Sequence, residues 1–444
     1  MAVIAIPISL QSMITIGVNM TDTVMVGKLG ETSLSATALA NQFVNIYQIC
    51  CMGIAMGASV LTSRFWGMQD ITSLKKTITL MLRLCIVLAV LFMLPTILIP
   101  QLLMRMYTND SEVIAQGVQY FKWMVYCYFL QGMTMTCTIV LRSVGQVNFP
   151  LFTSIGSFFV NILFNYMFIF GKLGVPRMEV EGAGVGTLIA RVFEFSLICG
   201  YFLFVDRKIG YRLKDLRMKC NSLIKDYVSI SIPVFVSDSL LALGTSAVAM
   251  VMGRVGTGFV SANSITVVIQ QLTTVIIQGI CHASCIMTGH TLGHGEREKA
   301  QQQAWTFLIL GLVVGILGGG LIKVLSRPII GLYNITPETA QIAGELMDAI
   351  AFIVIFQSMN SILTKGVLRG GGDTKFLMVA DIIFLWAASL PLGILAGLVW
   401  HLDAFWIYVF LKIDQICKSI WCVFRLRSGK WIKTFSKEKM NHAQ

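Results

Sequence analysis

The chain has 444 residues, 56% of them hydrophobic and only 13% charged, with a mean hydropathy of +0.76. A soluble domain carries about 25% charged residues, so half of the usual solvating surface is missing. A soluble globular protein, a disordered chain and a disulfide scaffold are all excluded, leaving a polytopic helical membrane protein. The net charge of +12 invites an anionic partner until the positions of the basic residues are read.

Twelve apolar segments follow one another. Met1 opens almost directly into the first, 3–26, with no charged n-region and no small-residue cleavage site, so this helix is expected to be retained. The rest are predicted at 35–63, 77–99, 113–141, 149–171, 183–205, 227–252, 260–289, 302–325, 338–367, 376–399 and 404–426. Each reaches the ~20 residues a spanning helix needs. Alternate connections differ in basic charge: one set, with the tail that includes Lys437 and Lys439, holds 22 Lys and Arg, and the other holds 7. The positive-inside rule then places both termini and the 206–226 connection in the cytoplasm of a cell whose plasma (inner) membrane the chain crosses. The basic excess labels topology, and no nucleic-acid partner is expected. The 11 Cys lie mostly in apolar runs without a CxxC and read as buried, inert thiols.

Sliding the sequence along itself by 226 or 227 positions aligns its punctuation. Ile6-Pro7 falls on Ile232-Pro233, Gly27-Lys28-Leu29-Gly30 on Gly253-Arg254-Val255-Gly256, and Leu141-Arg142 on Leu368-Arg369. Two homologous six-helix lobes are predicted, 1–205 and 227–430, joined by the basic connection 206–226 and followed by a tail, 431–444. Six is even, so both lobes point the same way across the membrane. Two parallel bundles around a midplane cavity suit alternating access, the working cycle of a secondary transporter.

Acids inside the spans are few: Asp22, Glu194, Asp238, Glu345, Asp348, Asp381, Asp403 and Asp414. Each costs about 2.5–3.5 kcal/mol at mid-bilayer and therefore needs a reason. Glu194 follows Arg191 by three residues and reads as a structural pair, as does Asp414 between Lys412 and Lys418. Asp381 and Asp403 lie close enough to span ends to reach water. Asp22 and Asp238 have no cation within helical reach. Asp22 stands 15 residues after Pro7, and its repeat equivalent is Val248, so one lobe alone carries the acid. Asn161 and Asn165 share a helix face, and Thr187 follows the Gly182-Ala183-Gly184-Val185-Gly186 run. Carboxylate, amide and hydroxyl oxygens in an apolar bundle suit Na⁺. A desolvated carboxylate equally suits proton carriage, and a polar cluster that only fixes helix packing is the third reading. Asp238, Gln42, Gln48, Gln270, Gln271 and Gln278 are candidates for a substrate cleft, with interhelical hydrogen bonding as the alternative.

Other signals carry less. His290 and His294 have the spacing of a zinc pair but no HExxH glutamate, and they read as a basic helix end. Gly182-x-Gly-x-Gly lacks a βαβ context and reads as close helix packing. Gly370-Gly371-Gly372-Asp373 reads as a turn. No nucleophile–base pair or metal cluster is present, so neither an enzyme nor a cofactor is expected.

The string Met20-Thr21-Asp22-Thr23-Val24-Met25-Val26-Gly27-Lys28-Leu29-Gly30 resembles the first helix of multidrug and toxic compound extrusion (MATE) transporters of the prokaryotic type. So do Pro7, the Leu-Arg-Gly-Gly-Gly-Asp-Thr stretch at 368–374, and Asn161…Asn165…Phe170-Gly171 followed by Glu181-Gly182-Ala183. The resemblance spans essentially the whole chain. It implies an all-α, twelve-helix, V-shaped monomer whose two lobes export amphipathic, usually cationic, small molecules from the bilayer in exchange for H⁺ or Na⁺. It further implies that Asp22 is the coupling acid, that Asn161, Asn165 and Thr187 stand around it, and that the first span bends at Pro7. Asn165 stands where this branch commonly has Asp, which removes one charge from the cation site and favours H⁺. A second branch couples through a Glu in span 7, where this chain has Leu241. A lipid-linked precursor flippase of the same superfamily is the rival reading; it calls for a larger, basic cavity, whereas the intramembrane balance here is acidic.

Overall fold

The computed structural model describes residues 1–172, 174–331 and 335–434, so the tail lysines Lys437 and Lys439 lie outside the described residues. Every regular element among them is helical. Six membrane helices form the first half: α1 (Ala2–Gly27), α2 (Glu31–Gly67), α3 (Ile71–Leu98), α4 (Ser111–Ser143), α5 (Asn148–Phe170) and α6 (Glu179–Val205). Six more form the second: α7 (Asn221–Val255), α8 (Thr257–Gly293), α9 (Arg297–Ile330), α10 (Pro337–Leu368), α11 (Thr374–Val399) and α12 (Ala404–Leu411, then Ile413–Arg427). Eleven of the twelve are long and apolar enough to cross a bilayer as single helices among the described residues. The twelfth breaks at Lys412, where φ is −122°.

Several helices run well past the apolar spans that hydropathy marks. α2 and α8 have 37 residues each, about 55 Å at 1.5 Å per residue, against a hydrocarbon thickness of ~30 Å. Hydropathy registers the lipid-facing part of a helix and not its polar ends. Those ends carry caps: Asp70 accepts the Ser73 amide at 3.0 Å before α3, and Asp110 accepts the Glu112 amide at 2.9 Å before α4.

The chain divides into two compact units, Leu10–Ser231 and Met1–Ser9 with Ile232–Gln444. One boundary falls inside α1, two residues after Pro7; the other falls inside α7, just before Pro233. In the Leu10–Ser231 unit, α5 is polar on its buried face and apolar outside. Ser154, Ser157, Asn161 and Asn165 are buried, whereas Phe152, Phe159, Leu163 and Tyr166 are exposed. A soluble helix shows the reverse; with lipid as solvent, the apolar side chains face out and the polar ones find partners inside.

In the other unit, α9 and α10 approach closely along Gly311, Gly315 and Gly319. A Cβ on Gly315 would lie 2.7 Å from the Ile355 Cα, and one on Gly319 would lie 2.5 Å from the Ala351 carbonyl oxygen. Small residues every fourth position allow this contact, which supplies dispersion energy where lipid gives no hydrophobic drive. The glycine run at the start of α6 works likewise, because a Cβ on Gly182 would meet the Phe168 carbonyl at 2.6 Å. The cysteines are all free thiols, nine of the eleven buried and Cys50 and Cys417 half-buried.

Candidate functional site: an acid-bearing cavity in the Leu10–Ser231 unit

The four-residue spacing of Asn161 and Asn165 places both amides on the buried face of α5. Asn165 Nδ2 donates to Asp22 Oδ1 of α1 at 2.6 Å and lies 3.4 Å from Asn161 Oδ1. With both of its Nδ2 protons directed at oxygens, its Oδ1 is buried without a partner among the described residues. Gly186 makes this approach possible, since a Cβ there would run into the Asn165 side chain and lie 2.8 Å from its backbone nitrogen.

Asp22, Asn161 and Thr187 line one cavity of about 320 Å³. Asn41, Asn45 and Gln48 of α2 line it too, at i, i+4 and i+7, a single helix face. Val18, Val44 and Met124 make its apolar wall. Tyr120 of α4 donates from its hydroxyl to Asn41 Oδ1 at 3.2 Å and fixes that amide.

Two charged residues in this wall escape sequence reasoning. Arg191 and Glu194 do form the expected pair, Nη1 to Oε2 at 2.8 Å, yet both also line the cavity with Asp22. Thr187, Arg191 and Glu194 stand at i, i+4 and i+7 on α6, so the face that carries Thr187 carries all three. Arg191 is close enough to Asp22 for their charges to interact. The cavity therefore holds two acids and one base, and Asp22 does have a cation nearby, from a different helix.

The remaining candidates lie elsewhere. Pro7 sits in α1 within Met1–Ser9, and Gln42 sits on α2 away from the cavity wall. Gln270 of α8 donates to the Tyr408 hydroxyl at 3.3 Å, while Gln271 is exposed. Asp238 of α7 receives the Arg369 guanidinium at 3.0 and 3.5 Å. Its cation comes from 131 residues away, which no helical spacing reveals. Gln11 and Arg142 form the repeat-equivalent contact across the same separation of 131 residues, and Gln11 Nε2 also donates to Ser154 Oγ at 2.8 Å. Asp381 differs from the expectation that it reaches water. It is 7% exposed and shares Lys418 with Asp414, at 2.9 and 3.0 Å. The reason is that α12 packs Lys418 against α11, a neighbour absent from local sequence. Among the described residues no cluster of His, Cys, Asp and Glu has metal-site geometry.

The comparisons settle what kind of molecule this is. The MatE family model matches residues 7–167 and again 233–416, two copies whose starts lie 226 residues apart, the offset seen in the sequence. The chain belongs to the MatE family. A probable multidrug resistance protein NorM of Thermotoga maritima is 24% identical over 436 residues, covering 97% of this chain and 92% of that protein. The fold is that of an outward-facing multidrug resistance MATE transporter of the MOP superfamily, with a TM-score of 0.84 at 19% identity, covering 98% of this chain and 96% of that one. It is also that of MATE in complex with MaL6, with a TM-score of 0.86 at 19% identity over 97% and 96% of the two chains. The protein is a multi-pass membrane transporter of the MATE family and not an enzyme.

Proposed function

We propose that this MATE transporter is a proton-coupled antiporter that expels amphipathic, cation-bearing compounds across the plasma membrane, with Asp22 as the coupling carboxylate. The observation that carries the reading is the hydrogen bond from Asn165 Nδ2 to Asp22 in the cavity wall. An ionised Asp22 is stabilised by that charge-assisted N–H bond, and a proton arriving there removes the charge without further ligands. Na⁺ needs several oxygens around it, whereas the nearest amide turns its nitrogen to Asp22 and leaves its oxygen behind. The excess of acids over bases in the cavity favours a cation exporter over a lipid-linked precursor flippase.

In the cycle, Asp22 takes up H⁺ from outside, its bond from Asn165 loses its charge assistance and weakens, and α1 repacks from Pro7 onward. The altered cavity releases its compound, and loss of H⁺ to the cytoplasm resets the carrier. Both termini face the cytoplasm and the unit of transport is a monomer. Each inward charge not balanced by charge on the exported compound yields about 2.3 kcal/mol per 100 mV, roughly 3.5 kcal/mol at 150 mV, sufficient for about a 300-fold gradient at perfect coupling; for a monovalent cation exchanged one for one the charges cancel and the proton concentration gradient alone drives export. Dye efflux from proteoliposomes under separately imposed proton and Na⁺ gradients tests the reading. A proton gradient is expected to drive efflux in the wild type and to fail in Asp22→Asn; full proton-driven efflux by the variant would refute it.

A further inference from the structure

The two copies of the repeat build one polar network with different chemistry. At a constant offset of 227 residues, Gln11, Arg142, Ser154, Thr187 and Arg191 stand where the second copy has Asp238, Arg369, Asp381, Asp414 and Lys418. The second set is ionic: Arg369 holds Asp238 at 3.0 Å, and Lys418 holds Asp381 and Asp414 at 2.9 and 3.0 Å. The first set contains no acid. Arg142 donates from Nη2 to the Gln11 amide oxygen, and Gln11 Nε2 donates to Ser154 Oγ at 2.8 Å. Ser154, Thr187 and Arg191 line the cavity that holds Asp22. Among the described residues no carboxylate meets the Arg142 guanidinium, and its Nε is buried without a partner. The last turn of α4 makes this charge tolerable, because the helix carbonyls there favour a cation.

The position of Gln11 gives the difference a mechanical meaning. Gln11 stands four residues after Pro7, about one helical turn, is 8% exposed, and is the second residue of α1 within the Leu10–Ser231 unit. Repacking of α1 from Pro7 onward, a step of the functional reading above on which this inference rests, has to let go of Arg142. Releasing an amide leaves a neutral group that water can satisfy. Releasing an acid strands two opposite buried charges, which is strongly unfavourable. The same helix turn is fastened releasably in one copy and firmly in the other.

We propose that the Gln11–Arg142 contact is a releasable latch on α1, and that Gln11 is a positioning residue whose neutrality keeps the transport cycle fast. Ser154 ties the latch to the cavity wall, so α1 is held at two points, Gln11 and Asp22.

The test turns the latch into the ion pair of the other copy with Gln11→Glu, which keeps the shape of the side chain. The new carboxylate gives Arg142 the counter-charge it lacks, so the variant should unfold at a higher temperature than the wild type. The maximal rate of ethidium efflux from proteoliposomes under a proton gradient should fall about tenfold, the scale of one added charge-assisted contact. Ethidium binding, followed by fluorescence polarisation, should change by less than about twofold. Gln11→Glu/Arg142→Gln keeps the carboxyl without its partner and should recover most of the rate. The movement of α1 is read with nitroxides carried on p-acetylphenylalanine at Val24 and Leu98, two exposed positions of the same unit. Their electron double-resonance distances should differ between pH 5 and pH 8 in the wild type, and should keep their pH 8 values at both in Gln11→Glu. A variant with wild-type efflux, or one that is slower with a lower unfolding temperature and distances that still respond to pH, would overturn the proposal. Wild-type distances that ignore pH would overturn the movement of α1 and the latch with it. A wild type and a variant that respond equally would overturn the latch alone.

Discussion

Asn165→Asp places a second carboxylate where an amide now donates to Asp22 at 2.6 Å. The substitution removes that hydrogen bond and sets two negative charges about 2.6 Å apart. At an effective dielectric of 20 the repulsion is about 6 kcal/mol, more than a helix bundle tolerates, so either one carboxyl keeps its proton or a cation lies between the two groups. The variant also supplies the oxygens that the wild type turns away, so it should acquire a Na⁺ site with Asn161 and Thr187 completing the shell. The assay is thermal unfolding in detergent at pH 8, with NaCl compared against KCl at equal ionic strength. The wild type should be indifferent to the exchange. The variant should unfold at lower temperature in KCl and recover in NaCl, by about 2.7 kcal/mol once Na⁺ reaches a hundred times its dissociation constant. Selective stabilisation of the wild type by Na⁺ would refute the argument that the Asn165 amide excludes the ion. So would a variant that matches the wild type in both salts.

Three further outcomes follow from the same geometry. Lys418→Met strands Asp381 and Asp414, which now share its ammonium at 2.9 and 3.0 Å; breaking such a buried pair costs about 3–5 kcal/mol, so thermal unfolding should fall clearly. Most of the loss should return in Lys418→Met combined with Asp381→Asn and Asp414→Asn. Gly186→Val should disrupt the seating of α6 on α5 at Asn165, where even a Cβ has no room; transport should drop more than tenfold while Gly200→Ala, with open space around it, stays near wild type. Asp215 in the connection is partly desolvated, which opposes ionisation. The hydrogen bond from Lys75 at 2.9 Å, the Arg212 amide and the charges of Lys75 and Lys214 outweigh this and hold its carboxyl below the ordinary value. The stability this contributes is present above the unfolded-state value and is lost as pH falls through the lowered folded value. Asp215→Asn should therefore flatten the acid limb of a stability–pH curve.

How much was legible in advance depends on where each partner comes from. Asp22, Asn161 and Asn165 stood out because polar residues at helical spacing in a lipid-facing helix have to meet something inside, and Asn165 does meet Asp22. The repeat was legible because Gly, Pro and Arg mark places where backbones turn or pack, and those positions recur at a fixed offset. Arg191 and Glu194 were read as complete in themselves, since a pair three residues apart satisfies the local argument. Only the shared face with Thr187 betrays their place in the cavity. Asp381 was misplaced, and the partner of Asp238 was invisible, for a related reason: their cations, Lys418 and Arg369, arrive from other helices. The repeat offers one route to such contacts, because Gln11–Arg142 and Asp238–Arg369 are the same contact written twice, with an amide in one copy and an acid in the other.

The central claim is that Asp22 carries the coupling ion and that the ion is H⁺. Its most direct measurement is dye efflux from proteoliposomes holding wild type or Asp22→Asn, driven first by a proton gradient alone and then by a Na⁺ gradient alone. The account predicts efflux by the wild type under the proton gradient, none above background under Na⁺, and loss of the proton-driven signal in Asp22→Asn. Proton-driven efflux that persists in the variant, or wild-type efflux driven by Na⁺ alone, would contradict it.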